Sequence, residues 1–219
     1  MSRLVGVFGS AGFGREVMTL VRRQLAVHHP YDDIVFVIPT TAGIPPKGIP
    51  VMAEAEFLVS DRARAFTIAI ADGAIRKRLY ALAINNGAVP LSVRASSAEI
   101  LDDVTLGAGV ILCGHSSITS NTRVGIGFHL NISSYLAHDC VVGDFVTFGP
   151  NVVCAGNVVV EDGAYIGGGA LIRQGQPDAP LIIGAGAVVG MGAVITKNVA
   201  PATVVVGNPA RELKKDLDQ

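Results

Sequence analysis

The sharpest chemical feature of this 219-residue chain is a histidine followed at once by a carboxylate, His138-Asp139, with Gly156 eighteen residues further on. An imidazole titrates near neutrality and can take a proton from a nucleophile. An adjacent carboxylate can hold its tautomer, and bare glycine backbone can face a developing oxyanion. These are the parts of general-base catalysis, although a His-Asp pair at a solvent-exposed turn is also ordinary. A second feature is Gly9-Ser10-Ala11-Gly12-Phe13-Gly14, which follows the apolar run at residues 4–8 and precedes a helical pattern reaching about residue 26. Strand, glycine turn and helix make the first unit of a nucleotide-binding fold. The glycines let backbone approach a ligand, and the helix N-terminus offers free N–H groups to an anion. No Walker lysine is present, which argues against a P-loop. Ile38-Pro39 stands where a dinucleotide enzyme would carry an acid for the ribose, so NAD is disfavoured.

The elements that must position these residues are set by a six-residue beat. Every sixth residue from Ile100 to Ile172 is apolar, thirteen times without a slip: Ile100, Leu106, Leu112, Ile118, Val124, Leu130, Leu136, Val142, Phe148, Cys154, Val160, Ile166 and Ile172. Neither an amphipathic helix nor an alternating strand has this period. A hexapeptide repeat is the signature of a parallel β-helix, in which three hexads close a triangular coil of 18 residues. The first position fills a narrow interior, the fifth a smaller interior site, and small residues take the corners. Half of the chain is apolar and only 5% aromatic, without Trp, as expected for an interior that accepts Val, Ile, Leu and Ala but not large rings. His138 and Asp139, third and fourth in their hexad, fall at a corner. The phase breaks at residues 173–180 and resumes at Ile183, an excursion where a binding loop tends to be placed.

Before the hexads, strands are expected at residues 34–38 and 66–71, a Pro/Gly-rich loop at 39–50, a short helix at 53–59, and a helix from 75 to about 86 with Arg76, Lys77 and Arg78 in its first turn. A fourth strand at 89–93 is expected to pair near the first. This gives a Rossmann-like α/β domain over residues 1–94, followed at 95–219 by the β-helix and a short charged helix at 212–217. A net charge of −1 without a basic run gives no reason for a nucleic-acid partner, and three Cys without framework spacing fit a reduced, cytoplasmic protein. Cys140 and Cys154 fall at interior positions, Cys113 lacks an obvious base, and no stretch reads as a membrane span. The other repeat-region histidines, His115 and His129, read as structural or as lining a subunit interface. A zinc site like that of β-helical carbonic anhydrases needs ligands from stacked coils, but 129 − 115 = 14 and 138 − 129 = 9 do not match 18, so no metal is expected. A non-catalytic scaffold built on the solenoid is a further class, distinguished by whether a small-molecule substrate binds.

Hexads together with the closing VVVGNPAR (204–211) resemble the left-handed β-helix acyltransferases that use acetyl-CoA. The GSAGFG unit, NISSYLAHDCVVGDF (131–145) and CAGNV (154–158) resemble more narrowly the sialic-acid O-acetyltransferase and bacillosamine-pathway N-acetyltransferase family. The resemblance implies a left-handed β-helix, a homotrimer with active sites between subunits, and acetyl transfer to a nucleotide-linked amino sugar, with sugar O-acetylation as the alternative. It makes His138 the general base and Asp139 its orienting acid. Gly156 would give its N–H to the thioester, and Gly168 and Gly192 would line the pantetheine channel. Ala11, Gly12 and Phe13 would lie against the sugar-nucleotide phosphates, with Asp72 and Gly73 nearby. Thr147 stands on the cofactor side where some members have a second His near the acetyl group, so one polar contact is lost. Arg173, Lys197, Arg211 and Lys214 are the candidates for the CoA 3′-phosphate. Ile38-Pro39 replaces the acidic pair of relatives, which favours a nucleotide other than UDP, with GDP-perosamine as a candidate substrate.

Overall fold

A computed structural model describes residues 3–29, 32–39 and 48–213. The chain opens with β1 (Leu4–Phe8), α1 (Gly12–His28), β2 (Asp33–Ile38), β3 (Val51–Ala53), α2 (Glu54–Val59), β4 (Arg64–Ile68), α3 (Gly73–Asn85) and β5 (Val89–Pro90). The strands form one parallel sheet in the order β3-β2-β1-β4-β5. All five residues of β1 are buried, as a central parallel strand requires. The expected strand at 89–93 divides. Val89–Pro90 joins the edge beside β4 rather than β1, a position that tolerates a proline without N–H, while Val93–Arg94 already belongs to the solenoid. β3 was not anticipated, and residues 40–47 of the expected loop lie outside the described residues.

From Val93 the chain winds a parallel β-helix with three faces. The first face stacks Val93–Arg94, Ile111–Leu112, His129–Leu130, Thr147–Phe148, Tyr165–Ile166, Val188–Val189 and Val204–Val206. The second stacks Glu99–Ile100, Ser117–Ile118, Tyr135–Leu136, Val153–Cys154, Leu171–Ile172 and Val194–Ile195. The third stacks Thr105–Leu106, Arg123–Val124, Val141–Val142, Val158–Val160 and Leu181–Ile183. Partners are mostly 18 residues apart, so each interior hexad residue lies directly over its predecessor. Corners turn through left-handed backbone once per hexad. The edge between the second and third faces does so at Asp103, Asn121, Asp139 and Asn157.

Two expectations need correction. Large rings do enter the coil: Phe148 is fully buried at its expected interior position, and Phe128 is fully buried at a fifth position, where a smaller residue is expected. Their rings meet edge to face at 5.3 Å and 79°, and the column containing Phe128 has only Val110 below and Val146 above, which leaves space for the pair. At the C-terminus, Arg211–Glu212 pairs antiparallel to Val204–Val206 instead of starting a helix. Residues 214–217 lie outside the described residues. Among those described, no helix is long and apolar enough to cross a membrane.

The α/β sheet docks on the first face of the solenoid. Val5, Val7 and the apolar side of α1 share a core with Val93, Ile111 and Cys113. Gln24 spans the junction, its Nε2 donating to the Ser92 carbonyl at 3.0 Å and its Oε1 accepting from Arg94 N at 2.9 Å. Arg76 is the strongest polar link. It is 1% exposed, and its guanidinium donates to the carbonyls of Ile70 and Ala71 on one side and of Gly127, Phe145 and Val146 on the other, at 2.5 to 3.1 Å. Burial lowers its pKa to about 10, outweighing the opposing pull of Asp72, so the cation persists at neutral pH. Removing it strands several carbonyls at the junction, each costing about 1–3 kcal/mol if left dry. Arg76→Met should therefore lower stability by about 3–5 kcal/mol, measurable as a fall in Tm of about 10 °C; an unchanged Tm contradicts the clamp.

His129 lies at the same junction, 1% exposed, its ring 5.3 Å from Phe13. Neither ring nitrogen has a hydrogen bond of acceptable geometry. Burial first, then the Arg76 cation, holds its pKa well below the ordinary value, against a small opposing pull from the Ile68 backbone. Above pH ~6.5 both folded and unfolded states keep this ring neutral. Below it the unfolded chain takes a proton that the buried ring refuses, so stability is lost as pH falls, by about 1.4 kcal/mol per pH unit until the folded pKa is reached. Thermal melts from about pH 7.5 to 5.5 should show His129→Leu losing less Tm than the parent; equal losses contradict this assignment.

Candidate active site

His138 and Asp139 sit at the edge between the second and third faces, flanked by Leu136 and Val142, whose side chains are buried in the coil. His138 Nδ1 lies 2.6 Å from Asp139 Oδ2, with the two side chains 50% and 42% exposed. Asp139 can face its neighbour because the left-handed corner (φ 58°) turns the carboxylate back along the edge. Two contacts hold its carboxyl below the usual range, first the hydrogen bond with His138 and then one from Asn121. With Nδ1 committed to the carboxylate, Nε2 is the nitrogen left to accept a proton.

Gly156, one coil above, is a steric requirement. A Cβ there would fall 2.6 to 2.9 Å from Cε1, Nε2 and Nδ1 of His138, so the imidazole lies flat against bare backbone. The 173–180 excursion covers the same edge. Gly175 N donates to Gly156 O at 3.0 Å, and Pro177 joins Asn121, Arg123, Asp139, Val141 and Asn157 around a groove of about 480 Å³.

The remaining expected site residues lie elsewhere in the chain. Gly168 and Gly192 stack on the edge between the first and second faces, Gly192 N donating to Gly168 O at 2.9 Å. Ala11–Phe13 and Asp72–Gly73 follow β1 and β4, adjacent strands in a sheet whose order reverses between them. Their two loops therefore flank the crevice where open α/β sheets bind ligands. Gly14 packs on the Gly9 carbonyl with no room for a Cβ, which fixes the tight turn. Ala11 caps α1 without a side-chain bond, so first-turn N–H groups stay uncapped by side chains, whereas the Asp72 carboxylate accepts from Ile75 N at 2.8 Å. Gly73 abuts the Phe145 carbonyl. Thr147 is 2% exposed beneath the sheet and gives its hydroxyl to Ala71 O at 2.9 Å, away from the His138 edge.

The three repeat histidines occupy different places: His115 at a corner beside α1, His129 in the junction, His138 at its edge. Among the described residues no group of three His, Cys, Asp or Glu is arranged to hold a metal ion. Burial keeps the thiols out of play as nucleophiles. Burial pushes Cys113 up to about 12, with Glu16 adding to the effect, and Cys140 and Cys154 are sealed inside the coil. Sequence reading missed the roles of Arg76 and of Asn121, which lies 18 residues before Asp139.

An imidazole open on a β-helix edge, with an α/β crevice at a topological switch point on the same chain, fits a hexapeptide-repeat sugar acetyltransferase, and similarity to known proteins shows that class. No protein-family model matches the chain. It is 42% identical over 214 residues to a GDP-perosamine N-acetyltransferase of Escherichia coli O157:H7, covering 97% of both chains. Among solved structures it resembles WeeI from Acinetobacter baumannii AYE, with TM-score 0.92 and 47% identity over 97% of this chain and 100% of that one. It also resembles the acetyltransferase domain of PglB from Neisseria gonorrhoeae FA1090 in complex with acetyl coenzyme A, with TM-score 0.84 and 26% identity over 97% and 100%. The chain belongs to the GDP-perosamine N-acetyltransferase family of left-handed β-helix sugar acetyltransferases.

Gly156→Ala should force the imidazole off Asp139 without disturbing the coil. Steady-state assays should show kcat reduced about 10- to 100-fold with an unchanged Tm, and parental kcat in this variant contradicts the packing argument.

Proposed function

We propose that the enzyme transfers the acetyl group of acetyl-CoA directly to the amine of a GDP-linked 4-amino-4,6-dideoxy sugar. The observation that carries this reading is the His138–Asp139 contact of 2.6 Å with the ring pressed on Gly156. The relative named above supports the substrate class, and the PglB domain solved with acetyl coenzyme A supports the acetyl donor. The amine nitrogen attacks the thioester carbonyl while His138 Nε2 takes its proton. The tetrahedral intermediate then expels the CoA sulfur, which receives that proton, leaving an acetamide and free CoA. Asp139 keeps Nδ1 engaged and stabilises the imidazolium. In this reading the Gly156 N–H faces the thioester oxygen, Ala11, Gly12, Phe13, Asp72 and Gly73 border the sugar nucleotide, and Gly168 and Gly192 border pantetheine. Arg173, Lys197 and Arg211 remain the candidates for the CoA phosphates, the last two lining a cavity of about 300 Å³ near the end of the solenoid; Lys214 lies outside the described residues.

The working assembly in this proposal is a cytoplasmic homotrimer, and the functional division falls just before Val93, where the first solenoid strand begins. The α/β sheet covers the first face, while His138 occupies the edge opposite that face. The crevice and the base therefore belong to one site only if different copies supply them. The second face offers a means of association, because Tyr135, Val153 and Leu171 form an exposed stripe, each 39–46% accessible. Packing there also brings the Gly168–Gly192 edge of one copy toward the His138 edge of another.

His138→Ala should cut turnover about 10²–10⁴-fold with Tm preserved. The assay follows thiol release from acetyl-CoA across a panel of GDP-, UDP- and dTDP-linked amino sugars. Turnover by the parent on the GDP-linked 4-amino sugar is expected. Parental rates in the variant overturn the assignment of the base, and absence of thiol release with every amino sugar overturns the reaction.

A further inference from the structure

We infer that Asn121 is a positioning residue for the catalytic pair, a side-chain donor from the coil below that fixes Asp139 so that Asp139 can fix His138. This rests on His138 being the base.

The geometry forms a continuous chain. Asn121 Nδ2 donates to Asp139 Oδ1 at 2.5 Å, and the other carboxylate oxygen, Oδ2, meets His138 Nδ1 at 2.6 Å. Each oxygen is thus given to a different partner, and rotation of the carboxylate about its Cβ–Cγ bond would break both contacts. Asp139 is exposed at a corner and lies in no packed interior. Without a second restraint it would sample several rotamers and leave the imidazole free to turn. The 18-residue coil supplies that restraint, because 139 − 18 = 121 puts Asn121 directly beneath it.

A plain alternative is that Asn121 serves only the turn, since its φ of 55° is a left-handed value that favours Asn. Equivalent corners of this chain argue against that as the whole explanation. His115, Ser133 and Phe145 adopt φ of 56° to 58° at the other two edges, so the corner conformation does not demand an amide. An amide is, however, the side chain that offers an N–H donor here while tolerating that backbone. An aspartate at the same place would fit the turn but set a second carboxylate against Asp139.

Two variants separate the roles. Asn121→Gly keeps the left-handed corner without strain and deletes the donor. Asn121→Asp keeps shape and turn and reverses the donor. The charged and titratable groups near Asp139 are His138 on the same corner and Arg123 across the adjacent groove, with Cys140 buried behind it. Freed from Asn121, Asp139 no longer holds the imidazole in one orientation, so in Asn121→Gly kcat should fall about 10-fold. Asn121→Asp loses the same donor and kcat should fall at least as far. KM for both substrates should stay within about twofold, and Tm should be unchanged in the glycine variant. A loss of kcat at constant KM and Tm supports the inference. Parental kcat in Asn121→Gly overturns it, and so does a loss of kcat accompanied by a lower Tm, which marks a merely structural turn. His138→Ala, run in parallel, keeps the two questions apart, because full turnover in that variant removes the base itself and leaves nothing for Asn121 to position.

Discussion

Interior packing on a six-residue beat is the constraint from which the rest of this molecule follows. Two residues per hexad, the first and the fifth, fill the interior of the prism, and each lies over the one a coil earlier. Register is therefore fixed along the whole solenoid, and a slip of one residue would move buried Leu, Ile and Val out to solvent. Edges become straight columns in which a residue, its neighbour 18 before and its neighbour 18 after are in contact. The His138 site is such a column. Asn121 lies below and holds the carboxylate, Asp139 holds the ring, and Gly156 above provides a bare surface for the ring to lie on.

The same regularity explains how the α/β unit is oriented. One face of the prism is covered by the sheet and α1, and the buried Arg76 ties the loop after β4 to a solenoid corner through carbonyls on both sides. Thr147 adds a hydroxyl bond to the same loop, and His129 backs the Phe13 ring in the other loop. Both loops that border the crevice thus rest on consecutive rungs of the first face. The crevice is held by the solenoid, yet it looks away from the edge that carries His138. In the proposed mechanism that separation is why the assembly matters.

Much of this was legible in the sequence because period six has few competitors. The hexads alone place His138 and Asp139 at a corner, and adding 18 reaches Gly156. The same subtraction reaches Asn121, but a column of Asp103, Asn121, Asp139 and Asn157 reads first as turn chemistry, and donor direction is invisible in a string of letters. Arg76 was hidden for a different reason. Its acceptors at Gly127, Phe145 and Val146 lie 51 to 70 residues away, and its neighbours Lys77 and Arg78 read as a solvated basic face. Resemblance located Thr147 but not what covers it, because a hexad says whether a side chain points inward and nothing about which outward face another unit will bury. Phe128 escaped because the small-residue rule for the fifth position holds on average, and an edge-to-face partner at Phe148 provides the exception.

The account stands on one proposition, that a working site joins the crevice of one copy to the basic edge of another. Subunit complementation tests it most directly. A His138→Ala chain lacks the proposed base, and a Gly12→Glu chain, where an added Cβ has only Arg15 within 4.0 Å, should fold but place a carboxylate where the proposed phosphates approach. Each homo-oligomer should be inactive. After dissociation and equal mixing, random reassembly should restore about a quarter of parental sites, those pairing an intact edge with an intact crevice from different copies. Mixtures as inactive as their components would mean that each chain supplies both halves of its own site, and would contradict the account.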